Sequence, residues 1–244
     1  MSTATAADTG VVRISSNHSV ADTAARLESA LKERGILVFA HLDFTADGSH
    51  ALASCEFSGT VAWLSLPRRA VLGTLRLGMA MSAPVMPPGP GYAMPQDVRL
   101  SADGDVFYVA DMAANGVWLI NSRQFTLAGF LHTGAGTHGL EVGRDRRHLY
   151  VSNRGEGSVS VVDLTSRAVA ATWHIPGGGS PDMGGVSADG KVLWLAGRYN
   201  SDVYAIDTTN GHLLARIPVG HGPHGLCIYP QPGRYSLGHT GVFR

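Results

Sequence analysis

The sequence predicts an all-β protein, a β-propeller, and three observations lead there. Alternating apolar runs are separated by short turns rich in Gly, Asp, Asn and Ser, the pattern of antiparallel strands. One turn recurs as FTADGSH, LSADGDV, VGRDRRH and VSADGKV, with Asp47, Asp103, Asp145 and Asp189 standing 56, 42 and 44 residues apart. A second anchor, Val61, Val117, Val159 and Val203 at the start of each third strand, repeats the same 56, 42 and 44. A four-stranded unit recurring every forty-odd residues is one propeller blade. Blades pack face to face, which explains why both faces of the strands are apolar.

Composition agrees. The chain has 244 residues, 44% hydrophobic and 16% charged, enough for a packed core and too apolar for global disorder. Nineteen Lys and Arg balance nineteen Asp and Glu, so no nucleic-acid or membrane-surface footprint is present. Two cysteines, Cys55 and Cys227, allow at most one bridge, and their apolar strand-like settings predict buried free thiols. No apolar run reaches membrane length. The opening MSTATAADTG has neither a basic nor an apolar signal region, so the sequence reads as cytoplasmic.

Residues 1–42 predict a strand–helix–strand segment. Val11–Ser15 is the first strand. Ser19 with Asp22 resembles a capping box, Val20, Ala24, Leu27, Ala30 and Leu31 share one helical face, and Gly35 ends the helix. Ile36–Leu42 returns as a strand, and His18 and His41 beside the helix read as structural. The propeller takes 43–244. Its clearest unit spans Leu140–Trp173, with strands at Leu140–Val142, His148–Ser152, Ser158–Leu164 and Ala168–Trp173. The Pro-, Met- and Gly-rich stretch 79–95 cannot continue a sheet and reads as an insertion, a surface loop in preference to a lid. Four complete units are followed by a partial fifth, with an inner strand from Leu226 and a second strand around Tyr235–Gly241. Two closures stay open. Either Val11–Ser15 or Ile36–Leu42 completes a small ring, or the propeller is open and truncated, with exposed edges available for self-association.

Two sets of side chains are candidates for chemistry. Stepping back seven residues from the turn aspartates gives Gln96, His138 and Asp182, and the same register gives His224. This column sits where inner strands converge on the channel. Two histidines and a carboxylate suit a metal, although the plainer reading is that these groups hydrogen-bond one another and the strand ends. Five residues before each third-strand valine stand Glu56, Met112, Arg154 and Arg198. Arg154 and Arg198 on adjacent blades suit a carboxylate or phosphate, against the plainer reading of solvent pairs with Glu156 or Asp202. His174, His221 and His239 lie near strand ends, and Trp63, Trp118, Trp173 and Trp194 are expected between blades. The chain has no nucleophile elbow, Walker loop, HExxH or CxxCH, and GAGTHG precedes a strand, so it is no dinucleotide fingerprint.

YVSN at Tyr150–Asn153 with the following GSVSVVDL, and YVAD at Tyr108–Asp111, resemble the YVTN-type repeats of bacterial propellers over roughly 43–244. The tail GPHGLCIYPQPGRYSLGHTGVFR resembles their closing segment, and VVRISSNHSVADTAARLESALKERGILVFAHLD resembles the opening of a small α/β family of unassigned function. The resemblance implies more blades than this chain carries and relatives often secreted or bound to the cell envelope. It also implies kinship with the haem-binding propeller of nitrite reductases. The expected function is a non-catalytic scaffold, without cofactor, that binds a small molecule or protein partner at the channel rim through Gln96, His138, Asp182, His224, Arg154 and Arg198. The alternative is a metal- or haem-dependent redox enzyme with His138, Asp182 and His224 as metal ligands.

Overall fold

The computed structural model describes residues 42–45, 47–80, 91–228, 235–237 and 241–243. The chain divides into two units, Met1–Val38 and Phe39–Arg244, and every described residue lies in the second. The expected strand–helix–strand therefore lies outside the described residues, save for Leu42, as do 81–90 of the insertion and His239.

Four antiparallel four-stranded sheets succeed one another, each in chain order from the inner to the outer strand. The first blade is β1 (Leu42–Phe44), β2 (His50–Cys55), β3 (Thr60–Ser65) and β4 (Ala70–Arg76). The second is β5 (Pro95–Leu100), β6 (Val106–Asp111), β7 (Gly116–Asn121) and β8 (Leu127–His132). The third is β9 (Thr137–Val142), β10 (His148–Asn153), β11 (Ser158–Asp163) and β12 (Ala168–His174). The fourth is β13 (Pro181–Val186), β14 (Val192–Gly197), β15 (Asp202–Asp207) and β16 (Leu213–Pro218). This is the β-propeller architecture that the repeats predict.

Local chemistry makes the repeat. Each turn aspartate accepts the amide two residues on: Ser49 at 3.0 Å, Asp105 at 3.0 Å, Arg147 at 2.9 Å and Lys191 at 3.1 Å. A hydroxyl locks three of these turns, donated by Thr45, Ser101 and Ser187. In the third blade Gly143 stands at that position, and the His148 ring nitrogen takes over, 2.5 Å from Asp145. Side chains that bridge their own turn in this way favour it over longer loops.

The period-two alternation then builds the core. Along β6, Phe107 and Val109 pack toward the first blade with Leu52, Val61 and Trp63. Val106, Tyr108 and Ala110 pack the other way, on Leu140, Leu149 and Val151 of the third blade. Tyr150, Val159 and Val161 continue onto Leu193, Leu195, Tyr204 and Ile206 of the fourth. Burying both faces of a sheet is what permits runs such as VFYVA in an antiparallel ladder. Trp63 lies between blades, stacked on Phe125 at 5.6 Å and edge-on to Phe107. Trp118 and Trp173 also pack against the clusters between blades, and each meets an aromatic of its own blade, Phe130 and Tyr150.

Several expectations are corrected. Residues 219–228 form no strand, so the fifth blade does not begin at Leu226. A proline at the same register opens β5 and β13, so Pro223 is not the cause; no second strand among the described residues pairs with this stretch. Beyond it, β17 (Tyr235–Leu237) and β18 (Gly241–Phe243) pair as a two-stranded hairpin. Cys55 is buried, but Cys227, off any strand, is exposed. Pro95 already belongs to β5, and a parallel bridge between Met79 and Tyr92 closes the base of the insertion. His174 ends an outermost strand, remote from the inner strands, and His221 is exposed. The inner strands are arranged in the order β1, β5, β9, β13, and the described residues do not close the ring back to β1. Among the described residues no helix is long and apolar enough to cross a membrane.

Candidate functional site

Three inner strands carry the same irregularity near their start. Pairing slips between Pro95 and Val98 in β5, around His138 and Gly139 in β9, and between Pro181 and Gly184 in β13. In each blade two inner-strand residues oppose one on the neighbour, which is a β-bulge. The residues so re-aimed include Gln96, His138 and Asp182. Freed amides find side-chain acceptors: Gly139 donates to Ser152 Oγ at 2.8 Å, Leu140 to Asp97 Oδ2 at 3.0 Å, and Gly184 to Glu141 Oε1 at 3.1 Å. The last two bonds cross from one blade to the next and stitch the inner strands together. Gly139 is needed for that approach, since a methyl there would lie 2.7 Å from the Asp182 carbonyl oxygen.

The bulges bring His138 and Asp182 together across β9 and β13. His138 Nδ1 is 2.7 Å from Asp182 Oδ1, and both side chains are buried. His224, on the unpaired segment after β16, sets its ring edge-on to His138 at 5.7 Å. One donor atom from each of the three lies within 4.8 Å of the others. Arg154 enters from the end of β10 and donates Nη2 to Asp182 Oδ1 at 3.2 Å and Nη1 to the Tyr199 hydroxyl at 3.2 Å. Its guanidinium also lies over the Tyr199 ring, 5.6 Å from the centroid. Ser180 fixes the Arg198–Tyr199 turn: its carbonyl accepts the Arg198 amide and its hydroxyl accepts the Tyr199 amide at 2.8 Å.

Two buried atoms remain without a hydrogen-bond or ion-pair partner here, Asp182 Oδ2 and Arg154 Nε. Such orphans are uncommon, since each costs about 1–3 kcal/mol when desolvated. Burial raises the Asp182 carboxyl, but the hydrogen bond and charge of His138, with Arg154 and His224, outweigh it and hold the group below its ordinary value. Burial, helped by Arg198, His138 and Arg154, lowers His224 against the pull of Asp182. A neutral imidazole beside an ionised carboxylate is the protonation state of a metal-ligand set.

Comparison with known proteins places this architecture. The profile of the YNCE-like beta-propeller family matches residues 89–233. The chain belongs to that family. No curated protein sequence matches it significantly. Among solved structures this YNCE-like propeller is similar to Kuenenia stuttgartiensis hydrazine synthase, with 19% identity and a TM-score of 0.60 over 74% of the chain and 49% of that structure. It is similar to a catalytically inactive virginiamycin B lyase from Staphylococcus aureus with quinupristin, at 14% identity and a TM-score of 0.60, covering 75% of the chain and 57% of the lyase. It is also similar to the dihydro-heme d1 dehydrogenase NirN in complex with DHE, at 16% identity and a TM-score of 0.58, covering 76% of the chain and 38% of NirN. The match spans less than three fifths of the length of each of these structures. At such identities the likeness is one of fold.

Within the YNCE-like propeller, the residues named from sequence distribute unevenly. His138, Asp182, His224 and Arg154 form one cluster, and Arg198 is close enough to His224 to act on its charge. Gln96 shares their position but turns back to its own blade, donating to the Met94 carbonyl at 3.2 Å. The expected solvent pairs are absent among the described residues: Arg154 is buried, Asp202 pairs with Arg216, and Glu156 accepts the Ser158 hydroxyl. The two columns occupy the same end of the blades, because antiparallel pairing sets Asn153 opposite Thr137, next to His138, and Arg154 follows with its amide on the Gly136 carbonyl. Sequence reasoning missed Tyr199, Asp97 and Glu141. Tyr199 had one available signal, an aromatic directly after Arg198 in GRYN.

Proposed function

We propose that this propeller is a binding scaffold that holds a divalent transition-metal ion at the bulged end of its inner strands, through His138, Asp182 and His224. The observation carrying the proposal is the convergence of three donors from two blades and the segment after β16 within 4.8 Å, with Asp182 Oδ2 buried and unpartnered among them. Ligands of a common ion at bonds of about 2.1 Å stand at most about 4.2 Å apart, so a small rotation of the half-exposed His224 completes the set. Two imidazoles and a carboxylate favour zinc, iron, cobalt, nickel or copper over magnesium or calcium. Burial of the donors favours a small ligand over a protein partner. The similar structures carry unlike chemistries on one fold, so these side chains must decide the matter.

Calorimetric titration of the full chain with cobalt or zinc tests the reading. Saturable binding of one ion per chain is expected, weakened at least about 100-fold in His138→Ala. Wild-type affinity in that variant, or no stoichiometric binding at all, would overturn it.

A further inference from the structure

We infer that the open positions on this ion are completed by an oxyanion, a carboxylate or phosphate group of the bound molecule, gripped by Arg198. The inference rests on the metal reading and concerns what the metal presents. Three observations on one end of the blades converge. Asp182 Oδ2 is a buried acceptor without a donor, and Arg154 Nε is a buried donor without an acceptor, on a side chain only 7% exposed. A cation alone answers the first and leaves the second. A metal ion together with an anion answers both.

The third observation is that the two arginines differ in commitment. Arg154 spends Nη1 on Tyr199 and Nη2 on Asp182, and its guanidinium lies over the Tyr199 ring. Among the described residues the Arg198 guanidinium makes no hydrogen bond or ion pair, although Ser180 holds its backbone beside Asp182. A free guanidinium fork, half-exposed at the entrance, is shaped for two parallel bonds to a carboxylate or phosphate. Charge demands the same partner. Two guanidiniums and a divalent ion against the single Asp182 carboxylate leave the site strongly positive, which an anion relieves.

The test uses the full chain loaded with cobalt, whose visible spectrum reports its ligands. Succinate and glycerol phosphate are titrated separately, as carboxylate and phosphate probes. A saturable spectral change with either is expected, and the responsive probe names the group. Arg198→Met should weaken that binding about tenfold relative to any change in cobalt affinity, and Arg198→Lys by less, since it keeps the charge and loses the fork. Cobalt that binds but ignores both probes would overturn this inference and leave the metal reading standing. So would equal probe binding by Arg198→Met, or equal probe binding with and without cobalt. Failure of cobalt to bind at all would overturn both.

Discussion

Two aspartates at the same end of the second and fourth sheets are both fully buried, and they are held in opposite ways. Asp111, closing β6, takes the amides of Met94, Ala113 and Ala114 on Oδ1 and the Trp118 indole on Oδ2. Its partners are neutral, and burial keeps its carboxyl above the ordinary value despite them. Asp182, in the β13 bulge, has His138 and Arg154 on one oxygen and nothing on the other, and sits below the ordinary value. The first carboxylate is consumed by its blade. The second is held in place by its neighbours and left with valence to spare, which on the proposed reading separates a structural acid from a ligating one better than burial does.

Substitutions sharpen that contrast. Asp111→Ala should cost about 3 kcal/mol or more in chemical denaturation, because it strands several donors at once. Metal affinity in whatever protein folds should be near wild type. Asp182→Asn keeps an acceptor for His138 and Arg154 but removes their counter-charge, so it should cost stability too, while cobalt affinity falls by roughly 100-fold, about 2.7 kcal/mol. Equal losses of cobalt affinity from the two changes would break the distinction. A third test concerns Glu141, which borrows from both types. It accepts the Gly184 amide and faces Arg99 at 3.9 Å, with Asp97 behind that arginine. Burial, with the repulsion of Asp97 and against the attraction of Arg99, pushes its carboxyl up to about 8. The folded chain then holds a proton between about pH 4.5 and about pH 8 that the unfolded chain has released. Stability from this group is full below that window and declines as pH rises through it. Glu141→Gln should flatten the slope between about pH 5 and about pH 8, and an unchanged slope would show that Glu141 ionises as it does in water.

The blades were legible in the sequence because their cause is local. A turn aspartate closes on an amide two residues away, and alternation along one strand decides both buried faces. The shared register of His138, Asp182 and His224 was legible for the same reason, as a fixed offset from those turns. The bulges were not. A bulge arises from how β9 meets β10 and β13, strands that pair or pack at long range, and GTHG carries no local sign of it. The inward course of Arg154 depends on the bulge too, so its burial against Asp182 was hidden behind a turn that reads as solvent-facing. Asp97 and Glu141 were invisible as acceptors for the next blade, because their partners lie 43 residues on in each case. At the chain's end the repeat suggested a strand, but among the described residues this stretch has no second strand to pair with.

The repeated bulge has a consequence for how such a protein changes over time. Gln96, His138 and Asp182 occupy the same notch in three successive blades, yet none belongs to the apolar clusters that bind blade to blade. On the proposed reading, mutation at a notch alters what the molecule recognises while leaving the apolar contacts between blades in place. Each duplicated unit arrives with one socket already cut, and a lineage can try new occupants there one blade at a time.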